Sequence, residues 1–104
     1  MIMPKRNTHA GELGIPPVAS TDPHALEIAR VWAADGRQHV CLRPEIWDDP
    51  TAWGLMLVDL AKHVANAYEQ AGCGTRADIL KQIKHGFDIE WNNPTDEATG
   101  ELNK

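Results

Sequence analysis

The most regular hydrophobic pattern in the chain lies between Asp49 and Ala71. Apolar residues recur there at the three- and four-residue spacing of one helix face. These residues are Trp53, Leu57, Leu60, Val64, Ala67 and Tyr68. Leu55, Met56 and Val58 widen the stripe, and a helix that is apolar around most of its girth is buried on more than one side. Since 104 residues offer little material to cover two sides, a second copy of the chain is an obvious source of cover.

The ends of this helix carry clear signals, which place it at about 50–71. Asp49 is a good N-cap, and Pro50 falls at the first helical position, where its missing N–H costs nothing. Gly72 supplies the left-handed residue that commonly closes a helix. Gly54 costs about 1 kcal/mol relative to alanine inside a helix, a cost that the close approach of another backbone would explain.

Two further helices are predicted. Asp22-Pro23 is a second Asp-Pro start, and the helix from it is expected to span about 23–34 before Asp35-Gly36 turns the chain. Thr75 is the N-cap of a third helix over about 76–91. This third helix places five apolar residues on one face: Ile79, Leu80, Ile83, Phe87 and Trp91.

Residues 37–43 form the one convincing strand, with Gln38, Val40 and Leu42 on one face and His39 and Cys41 on the other. The only other candidate strand is 12–15, an edge strand that is ended by Pro16. Two short strands bury too little to be stable alone, and their pairing could be parallel or antiparallel. Pairing 37–43 with its own copy would extend the sheet across a dimer. The predicted fold class is therefore α+β, with three helices packed on a small two-stranded sheet.

Composition indicates a single domain at 12–92, between disordered segments at 1–11 and 93–104. Ten basic and fifteen acidic residues give a net charge of −5, which argues against nucleic acid and anionic membranes as partners. The first residues lack the apolar core of a signal peptide, so a cytoplasmic location is expected. The two cysteines are then expected to be free thiols.

Part of the sequence resembles a known family. The run W-D-D-P-T-A-W-G at 47–54 and the run D-L-A-K-H at 59–63 are similar to a family of short bacterial proteins that is catalogued as a domain of unknown function. A-R-V-W at 29–32 and G-R-Q-H-V at 36–40 fit the same pattern, and the resemblance covers about 12–97. It implies a self-contained domain, and it brings no activity, cofactor or catalytic residue.

The candidate ligand-binding residues are Asp59, His63 and His39. Asp59 and His63 stand four apart on one helix face, as an acid–base pair or half a metal site would, although an ordinary surface ion pair has the same spacing. The spacing of a metal site is absent, so no metal ligand, catalytic residue or cofactor is predicted. Cys73 lies between two glycines just before a helix, so it is either a reactive thiol or an ordinary loop cysteine.

Candidate interface residues are Trp47, Trp53, Val40 and Leu42. Trp47 is the tryptophan most suited to an exposed aromatic contact, because it precedes two aspartates rather than lying in a helical stripe. These features favour a non-enzymatic homodimer that acts through protein–protein contact. The alternative is a small-ligand or metal-binding protein, conceivably an enzyme, that uses Asp59, His63 and His39.

Overall fold

A computed structural model describes residues 8–94 and the backbone of a two-residue strand at 102–103. Three α-helices and three strands follow the chain in a simple order. They are α1 (Pro17–Thr21), β1 (Ala29–Ala34), β2 (Arg37–Leu42), α2 (Thr51–Gln70), α3 (Arg76–Asn92) and β3 (Leu102–Asn103). A short 3₁₀ turn, Pro44–Ile46, leads from β2 toward α2.

The central helix α2 begins and ends as the sequence predicts. The Asp49 carboxylate accepts the Thr51 N–H at 2.9 Å, which satisfies one of the free donors of the first turn. At the other end Gly72 takes a positive φ of 77°, and the Cys73 N–H donates to the Tyr68 carbonyl. This pattern is a Schellman C-cap. The predicted helix at 50–71 is confirmed.

Helix α3 folds back on α2 to form a helical hairpin. Thr75 caps it by accepting the Asp78 N–H at 3.2 Å. The Glu69 carboxylate, in the last turn of α2, accepts the Arg76 N–H at 2.7 Å and so joins the two helix ends. The packed core of the hairpin is small, because only Ala65 and Ile79 are buried among the described residues. The predicted helix at 76–91 is confirmed.

The predicted helix at 23–34 is wrong, because residues 29–34 form strand β1. The Asp22 side chain accepts the His24 N–H, and its carbonyl accepts the Ala25 N–H, so Asp22-Pro23 makes a turn that does not propagate. Asp35 and Gly36 have φ values of 53° and 70°. Two consecutive positive φ angles define the type I′ turn of a two-residue β-hairpin, and this turn joins β1 to β2.

The predicted strand at 12–15 is also wrong, since those residues have no regular structure. Pro16 and Pro17 lie at the start of the short helix α1. The partner of β2 is β1, with which it pairs antiparallel from Ala29 opposite Leu42 to Ala34 opposite Arg37. The fold class is nevertheless as predicted: α+β, with three helices and a two-stranded antiparallel sheet.

The sheet gains a third member from the short strand β3, which runs parallel to β2 and pairs Val40 with Leu102. Strand β2 therefore lies between its two neighbours, in the order β1-β2-β3. Strand β3 pairs only with Val40 and Cys41, so 37–39 have no described partner on that side, and β1 has none on its outer edge. Most of the two segments expected to be disordered, 1–11 and 93–104, falls outside the described residues, so that expectation stays a prediction.

The described helices α2 and α3 make no close backbone approach to the β-hairpin. Neither β1 nor β2 approaches α2 or α3 within 8 Å between Cα atoms. Each hairpin therefore keeps an apolar surface that the other does not cover. No helix in the described part of the chain is long and apolar enough to cross a membrane.

Candidate interaction surface

Helix α2 carries an apolar stripe that α3 leaves open. At 100° per residue, Ala61 and Ala65 project to one side, and Ala65 is fully buried where α3 packs. Leu57, Leu60 and Val64 project roughly 80° away from that side. Leu57 remains 49% exposed and Leu60 51% exposed, although both have the spacing of core residues. We call Trp53, Leu57, Leu60 and Val64 the α2 stripe.

Two tryptophans form the N-terminal end of this surface. The rings of Trp47 and Trp53 meet edge to face, with their centroids 5.2 Å apart and their planes at 81°. Both residues are half-buried. Trp47 therefore packs on the first turn of α2 and fixes the direction in which the chain enters the helix, as a hydrophobic staple does. Trp53 belongs to the stripe, and Trp47 borders it.

The β-hairpin exposes a second apolar face. Val31 lies opposite Val40 in the sheet register, and Leu42 lies on the same side two residues further along. Val40 and Leu42 are half-buried, while Val31 is 59% exposed. The two candidate interface residues of β2 thus share an open sheet face with a residue that sequence reasoning had assigned to a helix.

The candidate ligand-binding residues do not come together within one chain. Asp59 and His63 are exposed on α2, and neither lines the cleft beside β1 or the smaller one at Ile28 and Leu42. His39 is half-buried on β2, where its Nε2 lies 3.0 Å from the Ala34 carbonyl oxygen. The Cα atom of His39 lies more than 8 Å from those of Asp59 and His63, because no Cα pair joins β2 to α2 within that distance. The described residues also contain no group of three or more His, Cys, Asp or Glu that could hold a metal ion.

Cys73 lies in the loop between α2 and α3 and is exposed. Its Sγ lies 3.8 Å from the Ala71 carbonyl oxygen, and its N–H belongs to the C-cap of α2. Thr75, and not Cys73, caps α3. Cys41 is also a free thiol, as the sequence suggested for both cysteines. The reactivity of Cys73 stays a prediction.

A cleft of about 600 Å³ runs beside β1. One wall is the irregular segment that includes Leu13 and Ile15, and the other is formed by Leu26, Val31 and Trp32. The segment is held in place by the His9 ring, which meets the Trp32 ring edge to face with the centroids 5.3 Å apart. The cleft is mainly apolar, and it lies along the free edge of the sheet.

Arg30 forms the polar end of the cleft. Its guanidinium donates to both carboxylate oxygens of Glu27, at 3.1 and 3.3 Å, and lies 3.5 Å from the Glu12 carboxylate. The hydrogen bond from Arg30 to Glu27 raises the pKa of Arg30, because it stabilises the charged form. Arg43 donates to the Glu27 backbone carbonyl at 3.2 Å and so ties the same corner to β2.

Residues 12–95 match the model of a protein family described as Domain of unknown function (DUF5076). This chain belongs to that family. A solved structure from the photosynthetic bacterium Rhodopseudomonas palustrus CGA009, described as a candidate pyruvate dehydrogenase, is 32% identical to it. The match covers 100% of both chains with a TM-score of 0.69. A search of the curated proteins finds no match. The family membership thus fits the resemblance seen in the sequence and assigns no activity.

Proposed function

We propose that this family member is a homodimer that acts through protein–protein contact, with the α2 stripe at the centre of the contact between copies. The observation that carries the proposal is the open stripe itself. Leu57, Leu60 and Val64 have the spacing of a core face, and within the described chain neither α3 nor the β-hairpin covers them. Apolar side chains at such spacing are stabilising only when they are removed from water.

The size of the exposed surface supports the same proposal. Besides Leu57 and Leu60, helix α2 exposes Leu55 by 67%, Val58 by 53% and Tyr68 by 50%. Soluble monomers rarely expose contiguous apolar patches larger than a few hundred Å², and larger patches mark contacts with partners. A second copy is present at the same concentration as the first, so it is the simplest source of cover.

Three sides of α2 differ in their side chains. Small residues, Ala61 and Ala65, face α3 and allow the two helices to approach closely. Asp59, Lys62 and Asn66 project to a third side of the helix, which they share with the exposed Leu55. The α2 stripe lies between the two, so that a partner would meet an apolar centre with a polar border on one side, as protein interfaces commonly have.

Gly54 lies outside the α2 stripe, because at 100° per residue it projects to the same side of α2 as Ala61 and Ala65. A Cβ built at this position would meet no atom of the described chain within 4 Å. The single chain therefore gives no reason for a residue that costs about 1 kcal/mol relative to alanine inside a helix.

The proposal is tested by placing one charge in the stripe. We expect Leu60→Glu to convert the dimer to a monomer, because a carboxylate would be buried without a partner charge. Gln70→Glu is the matched control, since it adds the same charge to an exposed position near the end of the same helix. The measurement is molar mass by size exclusion with light scattering at micromolar concentration. A Leu60→Glu protein with the same mass as the wild type would contradict the proposal.

The alternative, a ligand or metal site at Asp59, His63 and His39, has no supporting geometry within one chain. We expect His63→Ala to leave the fold and the dimer unchanged. We also expect zinc to leave the amide resonances of Asp59 and His63 in the wild type unchanged. Zinc-dependent shifts in the wild type that disappear in His63→Ala would favour the alternative instead. The description of the Rhodopseudomonas protein adds nothing to either proposal, because no group of residues identified here corresponds to it.

A further inference from the structure

The free edge of β1 has a definite set of unpaired backbone groups. The Arg43 N–H donates to the Ile28 carbonyl at 3.0 Å, so residues 28 and 43 form a hydrogen-bonded pair of the antiparallel ladder. Such pairs alternate with non-bonded ones, which places Arg30 and Trp32 in the bonded pairs with β2. The N–H and C=O groups of Ala29, Val31 and Ala33 therefore point outward, and no described residue pairs with them.

This edge lacks the usual protection against pairing. Natural sheets protect free edges with lysine, proline, bulges or a covering segment. Strand β1 has the sequence Ala-Arg-Val-Trp-Ala-Ala and contains neither lysine nor proline. Its one charge, Arg30, is paired with Glu27 and Glu12 of the same chain. The segment at 9–16 reaches β1 through the side chains of His9 and Glu12, which contact Trp32 and Arg30, and a cleft of about 600 Å³ lies between the segment and β1.

We propose that β1 pairs antiparallel with β1 of a second copy, about a two-fold axis at Val31. The inference rests on the proposed homodimer and identifies a second part of its interface. With the axis at Val31, Ala29 lies opposite Ala33 of the partner subunit, and Val31 lies opposite Val31 of the partner subunit. All the outward groups of both strands are then bonded, and the two sheets become one.

The side chains of β1 are compatible with this register. On one face Arg30 comes opposite Trp32 of the partner subunit, which keeps the two arginines apart. On the other face the central valines meet between small alanines, so nothing bulky opposes the pairing. The strand is therefore complementary to its own copy in hydrogen bonds, size and charge. This self-complementarity favours a second copy over an unrelated peptide as the occupant of the edge.

Amide hydrogen exchange in the wild-type protein tests the pairing without any substitution. We expect the amides of Ala29, Val31 and Ala33 to exchange as slowly as those of Arg30 and Trp32 in the dimer, and faster upon dilution to the monomer. The inward amides of Arg30 and Trp32 are the internal control, because the β1–β2 ladder protects them in either state. Fast exchange at Val31 in the dimer would overturn the inference, and so would slow exchange that does not depend on dilution.

A pair of variants gives an independent test. Val31→Pro removes an N–H that takes no part in the β1–β2 ladder, and proline is tolerated at a strand edge. Val31→Thr is the matched control, because it retains the N–H and the β-branched shape. We expect the dimer dissociation constant of Val31→Pro to rise at least tenfold, and that of Val31→Thr to change less than threefold. An unchanged constant in Val31→Pro overturns the strand pairing and leaves the proposed dimer standing, whereas a monomeric wild type overturns both.

Discussion

At the scale of single residues, Asp49 is the clearest link between sequence and structure. Its carboxylate accepts the Thr51 N–H at 2.9 Å, at the positive end of the α2 dipole. This hydrogen bond lowers the pKa of Asp49 below its ordinary value, because it stabilises the ionised form. The folded state therefore favours the deprotonated side chain more than the unfolded state does.

The pH dependence of stability follows from the lowered pKa of Asp49. A lowered pKa in the folded state gives a stabilisation that is complete above the ordinary value of 3.8 and is lost as the pH falls through the folded value. Asparagine at this position keeps an acceptor but has no charge to titrate. We expect Asp49→Asn to be less stable than the wild type at neutral pH, with a difference that shrinks below about pH 3. Urea unfolding at both pH values measures this, and a difference that widens in acid would contradict the assignment.

The same dipeptide gives different structures at two places in the chain. Asp49-Pro50 starts a long helix, whereas Asp22-Pro23 makes a turn before a strand. The capping chemistry at the first residues is similar, so it could not separate the two cases. What differs is the sequence that follows: a 20-residue helical pattern after Pro50, and a short run ending in Asp35-Gly36 after Pro23.

At the scale of elements, the β-hairpin depends on its turn. Gly36 has a φ of 70°, a region in which an L-residue is strained by about 1–2 kcal/mol. We expect Gly36→Ala to lower the free energy of unfolding by about 1 kcal/mol. Gly14→Ala is the control, because Gly14 has no positive φ and a Cβ there would meet nothing within 4 Å. Urea titrations at one protein concentration compare the two, and equal midpoints would show that the turn does not limit stability.

The helices could be predicted and the strand before the turn could not, for a physical reason. In α2 and α3 the caps, the apolar spacing and the lengths all indicate one structure. In 23–34 the helix-like start conflicts with an Asp-Gly pair that is the strongest short signal of a hairpin. That pair, read together with Val31-Trp32 before it and His39-Val40 after it, could have identified both strands.

The candidate interaction surface could also be predicted only in part. The α2 stripe follows from spacing alone, so Trp53 and its neighbours could be recognised as an uncovered surface. The free edge of β1 and the cleft beside it depend on which strand is central in the sheet, and sequence does not give strand order. Asp59 and His63 share a helix face as predicted, but only the fold reveals that His39 belongs to the other hairpin.

At the scale of the whole molecule, the described chain contains a helical hairpin and a β-hairpin whose elements have no Cα atoms within 8 Å of each other. Each has a surface typical of a core: the α2 stripe on one, and the Val31, Val40 and Leu42 face on the other. Among the described residues only two are buried. The burial of apolar surface within one chain therefore offsets little of the conformational entropy lost on folding. Association of copies would bury the apolar surfaces of both hairpins at once.

The measurement that tests this account most directly is sedimentation equilibrium of the wild-type protein at micromolar concentration. One chain has a mass of 11.5 kDa. The account predicts a species of twice that mass, which dissociates only upon dilution. A single species of 11.5 kDa across the whole concentration range would contradict it.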